Sequence, residues 1–399
     1  PHIYSGGINH PQGGVLGFFG GGWVGLDIGS SSVKVVQVKG GEGQLELKAA
    51  GLAEISPDAM EAVEEDVRDA LISETIKRLF KEAKIGTRKV VTSISGESVI
   101  IRPVKMPFMS PEELEGMVGM EAEQYIPLPM DEVVLDYHVM GESMGESQRK
   151  LDVLLVAAKQ EHVEKHLALV QGAGLDPKLI VVDAFGGSNA FVLNDDTPAE
   201  ETVMLICIGA ARTSVDILET RQLKLTRDIG IGGTDFTKEI QREFNLSLAQ
   251  AEELKKQQGA IVMESEDVSL SSLAAHDDRS MRISECINPV LNKLLAEIRR
   301  MTDFYETSGG QKAVNRIVLT GGGGRLANLD RYFSDKLGVA VDVLNPFNKI
   351  RMVGRAYDHE ILKTQSAFFA VATGLALRAL DPGKKAVKAP EPEKAGKAA

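Results

Sequence analysis

One phrase occurs twice in this chain, and the repeat limits the folds open to it. Residues 25–38 read Gly-Leu-Asp-Ile-Gly-Ser-Ser-Ser-Val-Lys-Val-Val-Gln-Val. From Leu205, 180 positions on, the chain reads Leu-Ile-Cys-Ile-Gly-Ala-Ala-Arg-Thr-Ser-Val-Asp-Ile-Leu, so Asp27 falls on Cys207 and Gly29 on Gly209. Each copy has an apolar strand, a glycine where the backbone turns tightly, a cluster of small or hydroxylated residues and a second apolar strand. That is the make-up of a β-hairpin whose tip can cradle phosphate. Two such hairpins predict two related halves facing one nucleotide. The exchange of aspartate for cysteine in the second copy touches chemistry rather than folding.

At 399 residues the chain suits two domains of ordinary size. Its 43% hydrophobic and 26% charged residues are those of a soluble protein, and the net charge of -12 argues against broad nucleic-acid or anionic-membrane binding. Only Cys207 and Cys286 occur, both in apolar surroundings, which excludes a disulfide framework or thiolate metal site and points to a reducing cytoplasm. No run reaches the ~20 apolar residues a membrane-spanning helix needs. Residues 1–22 form a glycine-rich leader, expected to be floppy, with a small sticky patch at Val15, Leu16, Phe18 and Phe19. A Pro/Ala/Lys/Glu tail at 381–399 is expected to stay disordered.

Between these ends the pattern predicts strand, strand, strand, then a helix over about 58–83. Strands over 89–94 and 99–106 follow. Ser110-Pro111-Glu112-Glu113 starts a helix, with serine as cap and Glu113 at its third position, that runs to Tyr125-Ile126. A strand pair near 131–140 and 150–159 leads to a helix over 160–172, and a strand over 178–182 to a helix beginning at Asp183. After the second hairpin come a strand over 222–229, Gly230-Ile231-Gly232-Gly233 and a helix capped by Thr234 or Asp235. Residues 258–280 look like an exposed loop. A long amphipathic helix over 282–305, kinked or broken at Pro289, precedes a strand that enters Gly321–Gly324. A helix over about 326–337, a strand over 339–344 and a final helix over 366–378 complete the pattern.

In the first hairpin, backbone amides and the hydroxyls of Ser30 to Ser32 suit phosphate oxygens, Lys34 neutralises charge, and Asp27 can orient the hydration shell of magnesium. A single hairpin of this kind is equally a structural turn. Its repetition, with a later glycine loop, favours nucleotide binding. Gly321–Gly324 lacks both the lysine and hydroxyl of a P-loop and the acid of a dinucleotide fingerprint, so it offers only close backbone approach to a nucleoside. His162 and His166 stand four apart, but the order His-Val-Glu-Lys-His lacks a zincin pattern and a third ligand, which favours a solvated helix face. No nucleophile elbow and no activated cysteine is present.

These hairpins, with the "GGTDFTKEI" helix start and "TGGGGRLANL", resemble the actin-like ATPase superfamily. More closely, "GLDIGSSSVKVVQV", "MEAEQYIPLPMDEVVLDY", "LDVLLVAAKQEHVEKH", "GGTDFTKEIQREFNLSLAQAEELK", "VLTGGGGRLANL" and "LNPFNKI" are similar to the PilM family of cytoplasmic actin-like proteins in type IV pilus assembly. The resemblance runs from Trp23 to Leu380. It implies an α/β actin-like fold: a first half at 23–194, a second at 195–380, and an inserted subdomain like that of the cell-division protein FtsA at about 86–160. It further implies ATP with Mg2+ in the cleft. A groove between the first half and the insert would take the cytoplasmic N-terminal peptide of PilN. Through PilN the protein would sit at the inner membrane without entering it, reaching PilO, PilC and the motors PilB and PilT indirectly.

Carried onto this sequence, the resemblance assigns the first phosphate loop to Asp27, Gly29, Ser30, Ser31, Ser32 and Lys34, with Asp27 reaching the metal through water. Gly209, Ala210, Arg212 and Thr213 form the second loop, Gly322, Gly323 and Arg325 lie by the adenosine, and Lys238 with Glu239 by the base or ribose. The segment 121–137, with Tyr125, Ile126, Leu128 and Val133, is the candidate peptide surface. Hydrolytic superfamily members keep an acid in the second loop and a polar residue that positions water. Here stand Cys207 and, at the connecting helix, Asp183-Ala184-Phe185 without a glutamine. Loss of such a group costs on the order of 10²–10³ in rate. ATP is therefore expected to lock the halves together with little or no turnover. The alternative is an active ATPase, filament-forming or kinase-like.

Overall fold

The repeated phrase is a repeated topology. The computed structural model describes residues 3–4, 22–41, 44–56, 64–96, 98–145, 148–196, 198, 200–262, 278–307, 312–353 and 357–380. In the first half, Val24–Ile28 pairs antiparallel with Ser32–Gly41, which pairs antiparallel with Gln44–Glu54; on its other side Val24–Ile28 runs parallel to Lys89–Ile94, and that strand to Asp176–Val182. In the second half, Thr202–Ile208, Thr213–Glu219, Gln222–Ile229, Arg316–Thr320 and Ala340–Val343 repeat this order and these directions. Two short edge strands, Ile3–Tyr4 and Ile350–Met352, extend the first sheet to seven. Strands paired on both sides and covered by helices read as apolar runs, and Leu205, Ile206, Leu319, Val33 and Val35 are all fully buried.

A third sheet stands apart, with Arg149–Lys159 between Val99–Pro107 and Val133–Met144. The helix Pro111–Ala122 covers one face, burying Leu114, Val118 and Ala122. Its start is the expected reciprocal cap: Ser110 accepts from the Glu113 amide and Glu113 accepts from the Ser110 amide at 2.7 Å, worth about 1 kcal/mol. Lys89–Ile94 belongs to the large sheet, so the separate sheet starts at Val99 rather than at 86.

Two buried helices tie the halves together. Asp183–Asn194 leads from the first sheet into the second, and Ala370–Arg378 returns from the second half to pack on Val24–Ile28 and Ser32–Gly41. They cross so closely that a Cβ on Gly374 would lie 1.8 Å from the Gly186 carbonyl oxygen. The Arg316 guanidinium, bonded to Asp195 at 3.0 Å and to Asp342 at 2.7 Å, pins the chain where the first of these helices ends.

Several boundaries moved for local reasons. The helix Pro111–Ala122 stops before Tyr125. Helix Asp278–Thr307 runs through Pro289, while 263–277 of the expected loop lie outside the described residues. After the glycine loop, a 3-10 turn, Gly323–Arg325, and left-handed Asn328 delay the helix to Leu329–Leu337. Helix His359–Thr364 and strand Ile350–Met352 are additional elements. Within the leader, Ile3–Tyr4 is paired strand; its sticky patch, like the tail, lies outside the described residues.

Candidate functional site

The hairpins meet tip to tip. Gly29 donates to the Ser32 carbonyl at 3.0 Å and Gly209 to the Arg212 carbonyl at 2.9 Å, the same turn at the same offset. Across the junction, the Ala211 amide donates to Ser30 Oγ at 3.2 Å. Nearby, the Gly96 amide donates to Asp228 Oδ2 at 2.8 Å, and Arg212 lies 3.9 Å from the same oxygen. Ser30, Ser31, Ser32, Lys34, Gly209, Ala210, Arg212 and Thr213 thus surround one junction between the halves.

Pairing register separates the two copies chemically. Asp27 faces Lys34 across the first hairpin, with Nζ 3.3 Å from Oδ2. Cys207 faces Ser214 at the equivalent place. Burial pushes the Asp27 carboxyl up, Lys34 pulls it down and Asp183 pushes it up again. The Cys207 thiol is driven well upward, chiefly by burial and then by Asp27, Asp183 and Asp216, and stays neutral. A half-buried, neutral thiol neither attracts a cation nor attacks.

Three carboxylates that sequence reasoning did not assign gather here. Asp183 begins the connecting helix. Asp216 sits two pairing steps from Cys207, opposite Leu205 and on the same face of the sheet; its Oδ1 accepts from Thr226 Oγ1 at 2.5 Å and from Ser214 Oγ at 3.3 Å. Burial raises the Asp216 carboxyl to about 7, the hydroxyls pulling it down and Asp228 and Asp183 pushing it up. Asp228 is also raised, by burial and then by Asp183. The only local signal was an apolar strand interrupted by acid, and Asp183 was noted only for the glutamine it replaces.

The histidines are not a solvated pair. His162 bonds the Ser95 main chain and is lowered by burial and by Arg212. His166 Nε2 lies 2.8 Å from Thr92 Oγ1, and burial lowers it to about 4.

The second tip is buttressed from behind. Gly233 and Thr234 donate to the Gly209 and Ala210 carbonyls at 2.8 and 2.9 Å, and Thr213 Oγ1 donates to the Ile231 carbonyl. A Cβ on Gly232 would stand 2.4 Å from the Ala210 oxygen. Gly232 itself caps helix Gly233–Phe244, and Asp235 accepts its amide at 3.0 Å; Thr234 and Asp235 lie inside the helix. On that helix Lys238 pairs with Asp235 and Glu239 with Arg242. Packing already accounts for two of the late glycines: a Cβ would meet the Phe368 ring at 2.7 Å from Gly322, and Ile208 at 2.3 Å from Gly323. Exposed Arg325 lies over the Phe368 ring.

Apart from Tyr125, the residues of the candidate peptide surface pack beneath the insert's own helix. Ile126 is 4% exposed in the core beneath helix Pro111–Ala122, and Leu128 and Val133 pack against that core. Tyr125 is exposed. Strand alternation turns Val134, and Met140 beyond a bulge, toward the large sheet instead.

The donor set fits a polyphosphate and a hydrated divalent cation: two glycine tips, the Ser30 hydroxyl, a lysine ammonium and a buried carboxylate stand at one junction, with Ser31 and Ser32 next in the first tip. Among the described residues no three His, Cys, Asp or Glu side chains form a direct metal cage. Magnesium would thus take most ligands from phosphate and water, as it commonly does.

Two halves of one topology, joined by crossing helices around facing glycine hairpins, define an actin-like ATPase fold. Solved structures agree. EutJ from Carboxydothermus hydrogenoformans matches with a TM-score of 0.50 and 16% identity over 89% of each chain. MreB5 of Spiroplasma citri bound to ADP matches at 0.50 and 12%, covering 89% of this chain and 95% of that one. Cell division protein FtsA of Bacillus subtilis (strain 168) is 22% identical over 353 residues, 81% of this chain and 78% of FtsA. The sequence matches the family described as type IV pilus assembly protein PilM over residues 25–273 and 277–380. The chain belongs to that family, with a role in pilus assembly. A solved PilM-PilN type IV pilus biogenesis complex matches with a TM-score of 0.75 and 33% identity, over 90% of this chain and 99% of that one. No helix among the described residues is long and apolar enough to cross a membrane.

Proposed function

We propose that this chain is a nucleotide-loaded scaffold of the pilus assembly machinery. It holds ATP and Mg2+ between the hairpin tips and receives the N-terminal cytoplasmic peptide of a PilN partner. The observation that carries the reading is the tip-to-tip junction, Ala211 to Ser30, above the Asp27–Lys34 pair. Asp27 would orient metal-bound water, Lys34 and the serines would hold phosphate oxygens, and the second tip would add backbone amides and Arg212. Gly322, Gly323 and Arg325, with Lys238 and Glu239 across the cleft, are the proposed nucleoside side. Nucleotide bridging both halves favours their closed arrangement by mass action. The halves are proposed at 23–194 and 195–380. The similar PilM-PilN complex supports the partner, which would place the protein at the cytoplasmic side of the inner membrane, connected onward to PilO, PilC, PilB and PilT.

Turnover is slow in this reading, because Cys207 leaves the second tip without a carboxylate at the hairpin position. A second reading, an active ATPase, rests on Asp183, whose carboxylate reaches the same cleft and can accept a hydrogen bond from water. Phosphate release under saturating MgATP decides between them. The scaffold reading expects release below about one per minute, unchanged by Asp183→Asn; release near typical enzymatic rates of about 10 s⁻¹, abolished by that substitution, establishes the ATPase.

A further inference from the structure

Ile3–Tyr4 pairs in parallel with the outer side of Asp176–Val182, Ile3 beside Ile180 and Tyr4 beside Val181. Without it, Asp176–Val182 would end the sheet, presenting an open row of amides and carbonyls, a ready template for another strand. The same two residues lie against Val133–Met144 of the insert. The place is therefore the groove between the large sheet and the insert. Its floor is apolar: Ile180 and Val181 are fully buried and share a cluster with Leu154, Val156 and Ala158, flanked by half-buried Val134 and Met140. A sheet edge beside an apolar floor is the arrangement that receives an extended apolar peptide by strand addition.

We propose that the leader is a tethered occupant of this groove, so that the chain caps its own peptide site until a partner displaces it. The inference rests on the reading of the groove as the partner site. Two paired residues make a weak contact, but the 17 residues of 5–21, seven of them glycine, keep it attached. A short tether raises local concentration to about the millimolar range, enough to seat a weak binder. A leader seated about 70–90% of the time lowers the apparent affinity of a competing peptide about 3–10-fold. The contact is therefore a threshold rather than a block.

A synthetic peptide of the PilN cytoplasmic N-terminus is titrated calorimetrically into the full chain, a chain lacking residues 1–21, and a full-length Ile3→Pro/Tyr4→Pro variant, whose prolines cannot donate to the ladder. Amide exchange of residues 176–182 is followed in parallel without peptide. Self-capping gives about 3–10-fold tighter binding and faster exchange in both altered chains. Equal affinity and equal exchange in all three overturn it. Faster exchange with no peptide binding to any chain removes the partner reading instead, and the competition with it. Loss of protection on dilution of the full chain, with dimers at high concentration, overturns the contact in cis.

Discussion

The two hairpins share a turn, a register and a place in their sheets, yet only the first carries a buried ion pair. Asp27 and Lys34 face each other where Cys207 and Ser214 do, and Val36 of the first copy becomes Asp216 in the second. The acid of the second half has not vanished; it stands two pairing steps away on the same sheet face, held by two hydroxyls and raised to about 7. Folding needs the glycine and the apolar strands, which both copies keep. Charge beneath the tip is chemistry, and the copies diverge there. The duplicated frame therefore separates what the fold requires from what the cleft does.

Restoring the missing acid is the most severe way to test this difference. Cys207→Asp places a fourth carboxylate beside Asp27, Asp183 and Asp216 with no added cation. Uncompensated buried charge predicts a loss of about 3 kcal/mol at pH 8 in urea unfolding, smaller at pH 5 where the new group is protonated. No loss would mean that the site already provides a counter-charge for the second hairpin. Gly232→Ala strikes the buttress behind the second tip, which must shift to clear the Ala210 oxygen. A cost of about 2 kcal/mol is expected, with weaker nucleotide binding; a neutral effect would show that the tip does not depend on that loop.

Asp216→Asn comes next. Because burial raises the folded-state value above the usual 3.8, the folded chain binds this proton more tightly than the unfolded one. Its contribution to stability falls as pH rises from about 4 to 7 and is flat above that. The asparagine variant should gain about 1–3 kcal/mol over the parent at pH 8 and almost nothing at pH 4. A gain independent of pH would refute the burial argument. The mildest is Gly29→Ala: its Cβ would meet Lys34 Nζ at 3.0 Å, the far end of a flexible chain, whereas Gly209→Ala meets the Arg212 carbonyl at 2.9 Å. Gly29→Ala should cost less than about 1 kcal/mol, and less than Gly209→Ala; the reverse order would show the first tip to be the stiffer one.

Both hairpins and the strand, glycine, helix order were legible because strand period and turn glycines act locally. The gathering of Asp183, Asp216 and Asp228 was not, since it depends on how distant strands and a connecting helix meet. For the insert, alternation alone implied that Val133 and Val134 face opposite sides. Which side meets the large sheet is set by packing: Val134 turns toward it, while Ile126, Leu128 and Val133 pack under helix Pro111–Ala122. A glycine served as the cap at Gly232 because the hairpin presses against it, leaving no room for a side chain. Ile3–Tyr4 and Ile350–Met352 are too short for any periodic signal.

Calorimetric titration of MgATP into the parent, Asp27→Ala and Cys207→Ala tests the division between the hairpins most directly. The alanine at 27 should remain folded by circular dichroism and lose at least about 100-fold in affinity, as loss of a buried charged contact implies. The alanine at 207 should stay within about threefold of the parent, since it removes only a neutral thiol. Unchanged affinity for Asp27→Ala, or equal losses in both variants, would contradict the account.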